Sequence, residues 1–380
     1  MIEAAKRLQT VEEYYFSKKL REVNLLLASG EPIINLGIGS PDLQPPKKVL
    51  SAITASFENP IAHKYQSYQG LPELRDAISK FYKEHFSVNL SSGTEILPLM
   101  GSKEGIMHIS MAYLNEGDEA LIPNPGYPTY QSVTKLVGKG VLYELDAANN
   151  WMPDFKALDR LDLSKVKLMW VNYPHMPTGA KASKIVFEEL VAFGKRHNIL
   201  IVNDNPYSFI LNDSPKSILS VAGAKDVCLE LNSLSKTFNM AGWRVGMVMG
   251  ASEHLNNILK VKSNMDSGMF YGIQKGAIEA MKCSNMWFAT LNNVYQERRK
   301  LVWQLADALN CTYDKDASGL FVWAKLPAYL KSEEFIDLVL KENHIFITPG
   351  TIFGTQGEGY IRFSLCASTE VLEEAIARVK

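Results

Sequence analysis

The chain of 380 residues is short of several things, and each shortage excludes a class of function. It has four cysteines (Cys228, Cys283, Cys311 and Cys366), far apart and with no CxxC pair. That argues against a disulfide scaffold or a zinc ribbon and for reduced thiols in a reducing compartment. The seven histidines show no HExxH or paired spacing, so metal catalysis has no support. No apolar run approaches the length of a membrane span. The opening MIEAAKRLQTVEEYYFSKKL mixes acids and bases and lacks the apolar core of a secretory signal, so a cytoplasmic protein is expected. The formal net charge of -1 leaves no excess of one sign to attract nucleic acid or an anionic membrane. There is no internal repeat and no low-complexity segment.

What is present is an alternation. Short apolar runs occur at 119–123 (EALIP), 140–145 (GVLYEL), 167–174 (KLMWVNYP), 199–204 (ILIVND), 226–233 (DVCLELNS) and 244–250 (RVGMVMG). Helical spacing lies between several of them, as in Ile106, Ile109, Tyr113 and Leu114, or Phe187, Leu190, Val191 and Phe193. Near-continuous apolar strands alternating with helices predict an α/β domain whose mainly parallel sheet is covered on both faces. The ends read differently. Residues 1–45 hold a helix and INLGIGSPDLQPP, and the region from about 275 is helical before GLFVWAKLP and GYIRFSLC, which read as short antiparallel strands. The expected division is an arm over 1–45, a large domain over 46–270 and a smaller α+β domain over 271–380 that the N-terminal arm helps to build.

In an open α/β sheet, ligands sit beyond the carboxyl ends of the strands. There ILIV runs into Asp204, KLMWV into Asn172, and VCLEL into Ser233 and Lys236. An acid and a lysine at one sheet edge are either a site or a structural ion pair. In LPLMGSKEG, Ser102 and Lys103 open a helix whose unpaired N–H groups suit an anion, or else Gly-Ser is an ordinary helix start. Arg244 is a second anion contact or a surface cation. Tyr127, in PNPGYPTY, covers a flat ring or packs under its loop. Pyridoxal phosphate needs all of these at once: a lysine, an acid for its pyridine nitrogen, an anion site and a stacking face. Partial burial and a neighbouring cation such as Arg244 would lower the pKa of the lysine and leave it able to attack.

With those residues in view, the chain resembles a fold-type I pyridoxal-phosphate enzyme of the class I/II aminotransferases over nearly its full length. SLSKTFNMAGWRVG is similar to the family's Schiff-base segment. The resemblance implies that Lys236 bonds the cofactor and shuttles the proton, and that Ser233 and Arg244 bind its phosphate. NDNPY resembles the aspartate-x-x-tyrosine pattern, which makes Asp204 the partner of the pyridine nitrogen and Tyr207 a donor to the phenolic oxygen. GSKEG resembles the phosphate-binding helix start, with N–H groups from Ser102 and Lys103, and Tyr127 matches the ring-stacking aromatic. YQSYQGLPELR resembles the stretch in which a tyrosine, here Tyr65, reaches the phosphate in the neighbouring subunit, so a homodimer is implied. GYIRFSLC places Arg362 where the family clamps the substrate α-carboxylate, a task suited to a planar guanidinium. Gly39 of NLGIGSPD lies where the backbone meets the substrate.

One position departs from the pattern. The family has an asparagine directly before Pro-Thr-Gly, and NYPHMPTG has Met176 there. A thioether cannot donate, so the phenolic oxygen is expected to lose a donor, unless Asn172 or His175 compensates, and the Schiff base to stay protonated to higher pH. Other readings fit less well. Ser233-x-x-Lys236 matches the SxxK of serine acylases, but their SDN and KTG are missing, and Lys236-Thr237 lacks the glycine of a P-loop. A ligand-sensing regulator would need a DNA-binding module or a basic stretch. The implied reaction is transamination between an L-amino acid and a 2-oxo acid, of the aspartate or LL-diaminopimelate type, with a carbon–sulfur β-lyase as the alternative. Arg362 accounts for one carboxylate, and no second clamp is evident. The aromatics of EEYYFSKKL either cap the pocket or pack on the partner.

Overall fold

The computed structural model describes residues 2–9 and 15–380. Its centre is a seven-stranded sheet. The strands are β1 (Ile96–Leu99), β2 (Glu119–Asn124), β3 (Lys139–Glu144), β4 (Val166–Val171), β5 (Leu200–Asp204), β6 (Cys228–Ser233) and β7 (Gly246–Met249). Their spatial order is β1-β7-β6-β5-β4-β2-β3. All neighbours are parallel except the two pairs that β7 makes, with β6 and with β1. Each apolar run read from the sequence is a strand, and RVGMVMG supplies the one that runs backwards.

The alternation of side chains explains why these strands carry little polar residue on either face. Met169, Val171 and Ile201 pack into one cluster, while Leu168, Trp170, Leu200 and Val202 pack into the other on the opposite face. Helices α1 (Ser102–Tyr113), α2 (Pro128–Val137) and α3 (Lys184–His197) belong to the covering layers. Ile106 and Ile109 of α1 face one cluster; Phe187, Leu190, Val191 and Phe193 of α3 face the other. Ser183 caps α3 by accepting from Val186 N at 3.2 Å, and Asn198 ends it in the left-handed conformation with φ 53°.

A third cluster joins the two ends of the chain. Helix α4 (Asn285–Ala308) and helix α5 (Thr369–Val379) pack over a small antiparallel sheet of β8 (Thr312–Tyr313), β9 (Phe321–Lys325), β10 (Thr348–Pro349) and β11 (Tyr360–Ser364). GLFVWAKLP and GYIRFSLC are the paired β9 and β11, as the sequence predicts. The N-terminal segment is stitched to this layer. Ile34–Asn35 pairs in parallel with Ile345–Phe346, and Leu36 O accepts from Ser364 N at 2.8 Å. That pairing carries residues 37–42 across to the open edge of the large sheet. The N-terminal helix expected from the sequence is Tyr15–Ala28. No helix among the described residues is long and apolar enough to cross a membrane.

Candidate active site

Beyond the carboxyl ends of the parallel strands lies a cavity of ≈ 370 Å³. Asp204, Lys236, Tyr207, Tyr127, Ser102, Lys103, Ser233, Arg244, Arg362 and Gly39 all line it. Of the residues to which the resemblance gives a role, Tyr65 does not line it and is 91% exposed. Residues 12–14 of the EEYYFSKKL segment lie outside the described residues, and Leu20 at its end lines the cavity.

Lys236 sits on the single helical turn Leu234–Thr237 that follows β6. Its Nζ donates to Gly39 O at 2.5 Å. Burial lowers its pKa to about 8; Arg362 and Arg244 push the same way, and the Cys366 thiol opposes them. A useful fraction of the amine is therefore neutral near pH 7.

Asp204 closes β5 and is 4% exposed. Tyr130 donates to its Oδ2 at 2.9 Å, while Oδ1 has no hydrogen-bond partner. Burial raises the pKa of the carboxyl to about 7; the Tyr130 bond works against that and the buried Glu230 adds to it. A lone carboxylate oxygen on the wall of a cavity costs free energy unless a donor or cation meets it. Glu230, on the neighbouring strand, does not share this defect. It accepts from Tyr82 OH at 2.9 Å, Asn203 Nδ2 at 3.2 Å and Ile218 N at 3.0 Å.

Glycines shape the anion end. Gly101, with φ +90°, precedes α1, and a Cβ there would lie 2.3 Å from Arg244 Nη2. A Cβ on Gly246 would lie 2.6 Å from Ser102 N. Arg244 holds a left-handed backbone, φ 57°, which is costly for a residue with a side chain. Its Nη1 donates to Ala241 O at 2.8 Å. Ser233 Oγ accepts from Ser235 N at 3.1 Å and lies 2.8 Å from Ser235 Oγ. The result is a helix N-terminus of twelve residues facing a guanidinium and two hydroxyls, an arrangement suited to a phosphate group.

At the other end Arg362, 4% exposed, is held in β11 between Trp323 of β9 and Thr348 of β10. Its guanidinium carbon lies 3.8 Å from the ring centre of Phe321 and 4.7 Å from that of Phe353. Nη2 donates to Gly37 O at 2.8 Å, and Nη1 points at Met176 Sδ, 3.3 Å away. Gly39 has no room for a side chain, because a Cβ would lie 2.2 Å from Phe321 Cζ. The segment is anchored by Asp42, whose carboxylate takes two 2.7 Å bonds from the buried Arg298 of α4.

Of the two residues considered as a substitute for the asparagine absent at Met176, Asn172 lines the cavity. One N–H of the Asn172 amide donates to Asp204 O, its oxygen accepts from Met176 N, and a second N–H is left over. His175 does not line the cavity, and its Nδ1 lies 2.8 Å from Thr178 Oγ1. Several contributors were missed from sequence. Tyr130 had a signal, standing one helical turn past Tyr127 in PGYPTY, and Ser235 had one in the alternation of SLSK. Phe353 had none. One His–carboxylate group, Glu104, His108 and Asp266, also gathers away from the cavity, but the ammonium of Lys262 is bonded to Asp266 at 2.8 Å.

An amine of lowered pKa, a carboxylate oxygen without a hydrogen-bond partner, and a helix start facing a guanidinium suit amine chemistry on an anionic, ring-bearing group. The comparisons narrow this further. The profile of the family Aminotransferase class I and II matches residues 31–379. An LL-diaminopimelate aminotransferase of Dehalococcoides mccartyi is 40% identical over 99% of this chain and 97% of its own. One from Nitratidesulfovibrio vulgaris is 39% identical over 99% and 98%. The apo structure of BacF from Bacillus subtilis superposes with a TM-score of 0.95 at 34% identity, covering 100% of this chain and 98% of that one. The chain belongs to the class I and II aminotransferases, enzymes that depend on pyridoxal phosphate. Its relatives favour transamination over the carbon–sulfur lyase.

Proposed function

We propose that this chain binds pyridoxal phosphate in the described cavity and moves the amino group of an L-amino acid to a 2-oxo acid. The observation that carries this is the pairing of Lys236, half-buried and of lowered pKa, with the unpartnered Oδ1 of Asp204 in one cavity. Bound there, the cofactor supplies an aldehyde carbon that takes up an amine and a ring that accepts electrons when a bond at Cα breaks.

Lys236 would hold it through Nζ. Freed from the cofactor, Nζ would be the base for the proton at the substrate Cα, and a pKa of about 8 suits an amine to that task. Asp204 Oδ1 would face the pyridine nitrogen, with Tyr130 fixing Oδ2 and favouring the ionised carboxylate. Tyr127 would cover the ring and Tyr207 would donate to the phenolic oxygen. The N–H groups of Ser102 and Lys103, the Ser233 hydroxyl and Arg244 would take the phosphate, joined by Ser235, which lines the same end. Arg362 would grip the α-carboxylate, exchanging its bonds to Gly37 O and Met176 for two to the substrate. Gly39 would give up Lys236 as a donor when the cofactor binds. Tyr65, exposed in the single chain, would serve the cavity of a second copy in a homodimer.

The test is transfer of 15N from labelled L-amino acids to 2-oxo acids, with the wild type and Lys236→Ala. The wild type should transfer the label, and the variant should lose at least a thousandfold in rate. A loss below tenfold refutes the assignment of Lys236.

A further inference from the structure

The start of α1, at the anion end of the cavity, is held from outside its own cap. The N-cap is Gly101, which makes no side-chain capping bond. A serine or aspartate there would accept from the second or third N–H of the helix and so occupy the groups that suit an anion. Glycine avoids that competition, but a glycine at φ +90° does nothing by itself to hold the turn in place.

The hold comes from the third helical residue. Glu104 Oε2 accepts from Met100 N at 2.6 Å, one residue before the cap. This short, charge-assisted bond ties the end of β1 to the first turn of α1. It resembles the reach-back half of a capping box, set one residue earlier, and it uses no N–H of the helix itself. The other oxygen, Oε1, lies 3.1 Å from Nε2 of His108, one turn along α1 and 2% exposed. Asp266 comes within 4.8 Å of both side chains, and the ammonium of Lys262 holds it at 2.8 and 2.9 Å. The Glu104 side chain is therefore fixed at both ends.

Close packing removes the remaining freedom of the turn. A Cβ on Gly246 would meet Ser102 N, and one on Gly105 would lie 2.6 Å from the side chains of Leu99 and Leu231. The first turn thus sits directly on the sheet, with its direction set by the Glu104 bond. Glu104 itself does not line the cavity.

We infer that Glu104 is a positioning residue for the cofactor's phosphate, fixing the 100–103 turn so that the N–H groups of Ser102 and Lys103 converge on it. The inference rests on the cofactor reading above, and it concerns this chain's own helix start, whatever a second copy adds to the site. The turn needs the acceptor and not the charge, since a carboxylate one turn from a phosphate repels it. Glu104→Gln keeps an acceptor for Met100 N. Glu104→Ala removes it at a position where alanine favours the helix.

The experiment titrates the apoprotein, as it assembles in solution, with pyridoxal phosphate and with pyridoxal, which lacks the phosphate, following protein fluorescence. Glu104→Ala should weaken pyridoxal phosphate about tenfold or more and change pyridoxal by less than about threefold. Glu104→Gln should stay within about threefold of the wild type for both ligands. An equal loss for both ligands in Glu104→Ala would make the residue a general structural support and overturn the inference. So would pyridoxal phosphate affinity in Glu104→Ala within about twofold of the wild type, or a Glu104→Gln variant as weak as Glu104→Ala. Those three results leave the cofactor reading standing. A wild type that binds pyridoxal as tightly as pyridoxal phosphate overturns the phosphate cradle and this inference together.

Discussion

Asp204 makes the stability of the cofactor-free protein depend on pH in a way one substitution can isolate. Its carboxyl titrates near 3.8 in the unfolded chain and at about 7 in the fold. A group whose folded pKa is raised binds more protons when native, so its contribution is favourable at low pH and is lost as pH rises between the two values. The full loss is about 4 kcal/mol. About 2.5 kcal/mol of it falls between pH 5 and pH 8, and the rest lies below pH 5. Asp204→Asn keeps the shape and removes the titration, while Lys236 and His175 titrate alike in both proteins. Urea unfolding of the two apoproteins at pH 5 and pH 8 reads the difference directly. The wild type should lose about 2.5 kcal/mol more than Asp204→Asn over that range. Curves that stay parallel within about 0.5 kcal/mol would mean that the carboxylate is not desolvated as described, and the reason for assigning it a cationic ring partner would go with it.

Three further outcomes follow from the same geometry. Met176→Asn would give the cofactor's phenolic oxygen a further donor beside Tyr207, so the pKa of the lysine–cofactor linkage, read by its absorbance, should fall by about one pH unit; an unchanged titration shows that residue 176 does not face that oxygen. Gly101→Ala pushes a methyl into Arg244 at a backbone angle unfavourable to alanine. Its affinity for pyridoxal phosphate, measured by fluorescence titration, should drop at least tenfold, and affinity within twofold of wild type would contradict the cradle. Arg298→Ala leaves the Asp42 carboxylate without either of its two bonds beneath a half-open loop. It should cost about 2–4 kcal/mol in denaturant unfolding, and a cost below about 1 kcal/mol would show that the loop does not depend on that anchor.

Much of the fold was legible because parallel strands buried on both faces leave near-continuous apolar runs. The strand missed, β1, reads ILPL: only four residues long, it contains a proline and merges with the glycine turn that follows. The Lys236 and Asp204 positions were legible for a related reason, since a polar residue directly after such a run has to stand at the sheet edge. Contacts between distant segments were not. Phe353 meets Arg362 because a 3₁₀ turn folds back beside β11, and nothing in GTIF marks it. Asp42 and Arg298 are joined across 256 positions by the packing of α4, which no local pattern encodes.

The central claim is that Lys236 is the residue that bonds the cofactor. Reducing the holoenzyme with borohydride would fix that bond, and mass mapping of the digested protein would locate it. The account predicts a single phosphopyridoxyl adduct on the peptide containing LSKTFNMAGWR, at Lys236, in one equivalent per chain. An adduct on Lys103 or any other lysine, or reduction that leaves the protein unlabelled, would contradict it.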